Sequence, residues 1–166
     1  MKIALMSDSH GNWPALRSAL AVARKADCEV VFFAGDLVRP DGVAVLAEFA
    51  GPVHMILGNN EFEINEIHAA AEATGNVIYH GEVCDIERAG VRIFMHHYPH
   101  VAEAKAKSSI YDLCIYGHTH TLRDKTVGRT RLINPGAISD RGSQPEWAIF
   151  DTDTSELLPQ KFKASL

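Results

Sequence analysis

Residues 3–10, Ile3-Ala4-Leu5-Met6-Ser7-Asp8-Ser9-His10, join a short apolar run to a polar turn rich in metal-competent side chains. The same juxtaposition returns at Val31-Phe32-Phe33-Ala34-Gly35-Asp36, at Met55-Ile56-Leu57-Gly58-Asn59-Asn60-Glu61, at Ile93-Phe94-Met95-His96-His97 and at Leu113-Cys114-Ile115-Tyr116-Gly117-His118-Thr119-His120. Brief apolar runs closed by Gly, Asp or Asn have the length and content of buried strands. Helical periodicity fills the gaps between the first three, over Leu16 to Ala23 and Val43 to Phe49. Strand, helix, strand alternation predicts a parallel sheet covered on its faces. Pro14 suits the first turn of the first helix, where a missing N–H does no harm.

Further along, Ile64 to Ala73 reads as a helix and Val77 to Tyr79 as a strand. Ala89-Gly90 is then placed to turn a hairpin between Val83 to Glu87 and Val91 to Met95. A helix over Val101 to Ser108 precedes the strand Leu113 to Tyr116. The tail, through Val127, Arg131 to Ile133, Trp147 to Phe150 and Leu157 to Phe162, reads as short antiparallel strands. The expectation is an α/β sandwich of two sheets. With no internal repeat, low-complexity stretch or linker, residues 1–166 are expected to form one domain.

In an open α/β sheet, ligands bind beyond the carboxyl ends of the strands, so the five polar segments are expected to converge at one rim. Gly35, Gly58 and Gly117 each precede a candidate ligand and permit the close approach of a crowded site. In Asp8-Ser9-His10 and His118-Thr119-His120 the outer residues share a face of an extended segment, so each pair can grip one metal or two adjacent ones. Imidazole nitrogens with carboxylate and amide oxygens, and no thiolate, suit Mn, Fe, Zn, Co or Ni better than Mg or Ca. Two such cations about 3.5–4 Å apart form a clamp for in-line phosphoryl displacement, and Asp36 is the natural bridge.

The ordered set Asp8-Ser9-His10-Gly11-Asn12, Gly35-Asp36, Gly58-Asn59-Asn60-Glu61, His96, Tyr116-Gly117-His118-Thr119-His120 and Asn134-Pro135-Gly136 resembles the calcineurin-like metallophosphoesterases. The likeness runs nearly end to end and is closest to their small one-domain bacterial and archaeal branch. It implies a four-layer αββα sandwich of two mixed β-sheets flanked by helices. It also implies two divalent metal ions, with manganese expected. Asp8, His10, Asp36 and His120 would hold the first, and Asp36, Asn59, His96 and His118 the second. The implied reaction is direct attack on a small phosphate ester by a bridging water whose pKa both cations lower, with no covalent intermediate.

Asp36, Asn59, Asn60 and His96 are the expected catalytic group, and Asn12, Asn60 and His97 the expected substrate contacts. Asn12 can equally cap the helix that begins near Pro14. Where many relatives carry His after the metal-binding Asn, this chain has Asn60, which cannot act as an imidazolium acid. A diester is therefore the preferred substrate. Glu61 stands where Asp is usual, which changes the hydrogen bonding of that loop. Alternation lets only one of His96 and His97 face the metals easily, and the register is taken to favour His96. His97 then touches substrate, or replaces His96 as ligand. His54, His68, His80 and His100 fall outside the five segments and are read as structural or solvent-facing. Arg141 and Lys163 are read as solvated.

The net charge of -5 opposes a sequence-independent grip on long nucleic acid, which weighs against a nuclease. Two dications against two aspartates and one hydroxide would still leave a local positive surplus for a phosphate anion. The three cysteines, Cys28, Cys84 and Cys114, are widely spaced and are expected to be reduced core thiols of a cytoplasmic protein. No apolar stretch approaches the ~20 residues that span a bilayer, and no membrane association is expected. Phe62 and Ile64 are the apolar groups that would serve a homo-oligomer. The rival to catalysis is a metal-binding interaction scaffold of the same fold, as in the retromer subunit that the family includes.

Overall fold

The computed structural model describes residues 1–139 and 144–162, so Arg141 and Lys163 lie outside the described residues. The chain runs β1 (Lys2–Met6), α1 (Trp13–Lys25), β2 (Val30–Phe33), α2 (Asp41–Leu46), β3 (Val53–Met55), α3 (Ile64–Thr74), β4 (Val77–Tyr79), β5 (Val83–Arg88), β6 (Val91–His96) and α4 (Pro99–Lys107). It continues through β7 (Leu113–Ile115), β8 (Arg123–Val127), β9 (Thr130–Asn134), β10 (Glu146–Asp151) and β11 (Glu156–Lys161). One sheet has the order β11-β10-β1-β2-β3-β4 and the other β5-β6-β7-β9-β8.

Strand parity builds the layers. In β1 and β2, Ala4, Met6, Val31 and Phe33 pack with Leu16, Leu20, Val43 and Ile67 of α1, α2 and α3. Their neighbours Ile3, Leu5, Val30 and Phe32 pack on Cys84, Ile93, Met95, Leu113 and Ile115 of the facing sheet. That second sheet turns Phe94, Cys114 and Leu132 outward onto Ala102 and Ala106 of α4. Helices, sheet, sheet and helix thus form four layers, as expected. Because the central strands are buried on both faces, their sequences read as unbroken apolar runs rather than as alternation.

Helix α1 shows how local sequence sets an element. Leu16, Ala19, Leu20 and Ala23 line its buried face at helical spacing. Asn12 Oδ1 accepts from Ala15 N at 3.2 Å and Pro14 occupies the first turn. The tail strands pair antiparallel with each other as expected, β8 with β9 and β10 with β11, but their placement among the sheets is not what a simple run would give. Strand β9 pairs parallel with β7 and antiparallel with β8, whereas β10 and β11 cross to the first sheet, where β10 lies antiparallel to β1. No single turn signal distinguishes a strand that returns to its neighbour from one that crosses to another sheet.

Candidate metal centre

The turns that follow β1, β2, β3, β6 and β7 meet at one rim of the sandwich, and their side chains crowd around Asp36. Its Oδ1 accepts from the backbone N–H groups of Asn59 at 2.8 Å and Asn60 at 3.0 Å, and its Oδ2 accepts from Asn60 Nδ2 at 2.7 Å. Nε2 of His10 lies 3.3 Å from Oδ2 and Nε2 of His97 lies 3.5 Å from Oδ1. Burial pushes the Asp36 carboxyl up, but the Asn60 hydrogen bonds and the adjacent His97 and His10 outweigh it and hold it below the usual carboxylate range. Asp36 is therefore an oriented, buried anion.

On one side of Asp36, atoms of Asp8, His10, Asp36 and His120 lie within 4.8 Å of one another. Asp8 is fully buried; its Oδ2 accepts from His118 N at 3.0 Å, while its Oδ1 is a buried oxygen that accepts no hydrogen bond. That orphaned oxygen lies 3.2 Å from Nε2 of His120 and 3.8 Å from Nε2 of His10. The two ring nitrogens are themselves 3.0 Å apart. Oxygen and nitrogen donors aimed into one small space fit a cation, which would satisfy the buried Asp8 Oδ1.

On the other side, Asn59 Oδ1 lies 3.0 Å from Nε2 of His97 and 2.8 Å from Nδ1 of His118. His97 is 1% exposed, and its Nδ1 sits 2.8 Å from the carbonyl of Ala34. A carbonyl only accepts, so Nδ1 donates to it, and Nε2 is the ring nitrogen turned toward Asn59 Oδ1 and Asp36 Oδ1. Backbone-anchored imidazole of this kind is how a metal-ligating histidine is held in its tautomer. Asp36 lies in both groups.

Seven side chains are thus brought together: Asp8, His10, Asp36, Asn59, His97, His118 and His120. His96 is not among them, which corrects the register expected from sequence. In β6, Ile93 and Met95 face the opposing sheet whereas Phe94 faces α4, so parity carries His96 to the α4 side and His97 toward Ala34 and Asp36. His96 instead accepts from Tyr98 N through Nδ1 at 3.1 Å, and burial lowers its pKa. Asn12 serves as the helix cap, the second of its two readings. Asn60, expected at the substrate, spends its amide on Asp36.

The local backbone is shaped for this crowding. Asp8, His10, Asp36, His118 and His120 all have positive φ, between 45° and 69°. Such left-handed residues cost of order 1–3 kcal/mol each and persist where surrounding contacts over-determine them, characteristically at functional sites. A Cβ on Gly58 would strike the Asp36 carboxylate, and one on Gly117 would strike Ser7 Oγ. The glycines are there for close approach. Two supporting residues were underread in the sequence. Glu61 accepts from Leu37 N at 3.0 Å and Gly58 N at 2.7 Å, tying the Asp36 turn to the Asn59 turn. Asn134 donates to Gly117 O at 2.8 Å and Thr119 Oγ1 at 2.9 Å, holding the turn that carries His118 and His120.

Fold and site together define a two-sheet hydrolase-type sandwich with a carboxylate-centred cluster suited to divalent metal. Residues 1–155 match the family model of the calcineurin-like phosphoesterase superfamily domain, and the chain belongs to that superfamily. It is 30% identical over 159 residues to phosphodiesterase MJ0936 of Methanocaldococcus jannaschii, covering 94% of this chain and 96% of that one. A solved archaeal phosphodiesterase superposes with a TM-score of 0.91 at 27% identity, covering 98% of this chain and 100% of the other. Zinc-complexed Vps29 of Entamoeba histolytica shares the fold at a TM-score of 0.67 and 18% identity, over 97% of this chain and 91% of its own. Among the described residues no helix is long and apolar enough to cross a membrane.

Proposed function

We propose that the chain is a dinuclear, metal-dependent phosphodiesterase acting on a small phosphate ester as a single domain in the cytoplasm. The observation that carries this reading is Asp36, one buried carboxylate whose Oδ2 reaches the Asp8, His10 and His120 group and whose Oδ1 reaches the Asn59 and His97 group. One ion would be held by Asp8, His10, Asp36 and His120, the other by Asp36, Asn59, His97 and His118. Mn is the expected metal, and Fe, Ni, Zn and Co suit the same donors. When bound, the pair supplies charge neutralisation at the phosphoryl oxygens and a water acidic enough to attack in line.

The chain's own residues set the geometry. Asn60 and the Asn59 amide orient Asp36, Ala34 fixes the His97 tautomer, and Glu61 locks the two turns together. The Asn60 amide, bound to Asp36, is no acid for a leaving group, which favours diesters with a good leaving oxygen over alkyl monoesters. Support for the diester also comes from the relative named as a phosphodiesterase. The test is turnover of aryl phosphate mono- and diesters by metal-stripped protein with Mn restored. Diester hydrolysis that chelation abolishes is expected; no metal-dependent turnover on either ester would sink the reading.

A scaffold reading has one observation in its favour: Phe62 and Ile64, 64% and 47% exposed, stand beside the Asn59 turn as an apolar surface for a partner or a second copy. Replacing both with Ser separates the two functions. Turnover on small esters is expected to survive, and its absence in the unmodified protein together with tight partner binding would favour the scaffold.

A further inference from the structure

At the open edge of the sandwich, β4 ends one sheet and β5 ends the other. Three side chains meet there that take no part in the Asp36 cluster. One ring nitrogen each from His54 and His80 and the sulfur of Cys84 lie within 4.8 Å of one another. His54 is on β3, with its ring stacked on Phe32 at 4.9 Å between centroids, which places it between the sheets. His80 follows β4, tied by its backbone N–H to Met55 O at 3.0 Å. Cys84, on β5, is fully buried against the opposite sheet.

The trio is incompletely satisfied as it stands. Nδ1 of His54 lies 2.9 Å from Nε2 of His80, one proton serving the pair. His54 is only 7% exposed, and its Nε2 is buried without a hydrogen-bond partner. A neutral imidazole offers one donor and one acceptor; His80 answers Nδ1, and the surrounding Phe32 and inter-sheet apolar groups leave Nε2 unanswered.

We propose that His54, His80 and Cys84 form a second metal site, independent of the Asp36 cluster, that takes a thiophilic cation of the zinc class and clips the two sheets together. Two imidazoles and a thiol are ligands for a borderline or soft ion, not for Mg or Ca. Zinc holds nitrogen at about 2.0 Å and sulfur at about 2.3 Å, so its ligand atoms stand about 3.5 Å apart in a tetrahedron. Small side-chain rotations that open the 2.9 Å nitrogen pair and draw in the sulfur, which lies within 4.8 Å of both rings, reach that spacing. The half-buried His80 side leaves room for water as fourth ligand. Binding breaks the Cys84 S–H bond and releases that proton to solvent as the sulfur–metal bond forms.

Cobalt(II) titration of the full-length, metal-stripped protein tests the site. The Asp36 cluster contains no sulfur, so a thiolate-to-cobalt charge-transfer band reports the second site alone. One equivalent of such a site is expected, displaced by zinc, absent in Cys84→Ser and present in Cys28→Ser and Cys114→Ser. Should Cys84→Ser not fold, His80→Ala, at a half-exposed position, decides on the same band and is expected to weaken cobalt affinity at least about tenfold. No band in the unmodified protein, a band that survives Cys84→Ser, or cobalt affinity unchanged in His80→Ala would overturn the proposal.

Discussion

Two adjacent histidines divide the labour at the end of β6, and the division is testable. Nε2 of His97 is aimed at Asn59 and Asp36, whereas Nδ1 of His96 accepts from Tyr98. His97→Ala is expected to lose one of the two proposed metals and to lower turnover by at least about a hundredfold, in line with the loss of a directly acting group. His96→Ala is expected to keep both metals. Metal content of the purified variants checks this, and the opposite pattern would return the ligand to His96. Glu61 makes a second residue-scale prediction. Its carboxyl is pushed up by burial, and it still accepts from two backbone amides. Glu61→Gln keeps one acceptor oxygen and loses the other, so about 1–3 kcal/mol of stability is expected to go with the amide left unpaired. Denaturant unfolding would show it, and an unchanged midpoint would contradict the role assigned to the side chain.

Elements carry the site because each strand ends where its polar turn begins. The N-terminal cap of α1 illustrates the distinction between holding the fold and touching substrate. Asn12 bonds Ala15 N, and its loss in Asn12→Ala is expected to cost about 1 kcal/mol. Asn12→Ser, another capping residue, is expected to restore stability with KM unchanged; a raised KM in the serine variant would show that the amide also meets substrate. Parity explains why β6 misled. Ile93, Phe94 and Met95 are all apolar because both faces of the strand are buried, so the sequence carries no alternation to say which face His96 joins.

Across the whole molecule, an interaction from β5 to the segment before β7 predicts a pH dependence remote from the metal centre. The Tyr111 hydroxyl donates to Asp85 Oδ2 at 2.6 Å, and this bond, with burial, raises its pKa from 10.0 to about 12. The unfolded chain loses this proton first, so the contribution is whole below pH 10 and disappears as pH rises through the folded value. Tyr111→Phe is expected to be less stable than the unmodified protein at neutral pH, with the gap closing toward pH 12. A gap that stayed constant across that range in denaturant unfolding would refute the assignment. The cysteines fit the same interior. Cys28, Cys84 and Cys114 are buried free thiols, with burial holding their pKa values at about 11 to 12.

The linear chain by itself determined the alternation of strands and helices, the two-sheet α/β sandwich and six of the seven gathered side chains. Those follow from local features: short apolar runs, glycines before polar turns and Asn12-Trp13-Pro14 at a helix start. Tertiary structure alone decided which of His96 and His97 turns inward, where β9 and β10 pair, and that His54, His80 and Cys84 share an edge. Each depends on which buried face meets which sheet, and strands buried on both sides leave no polar alternation in the sequence to record it.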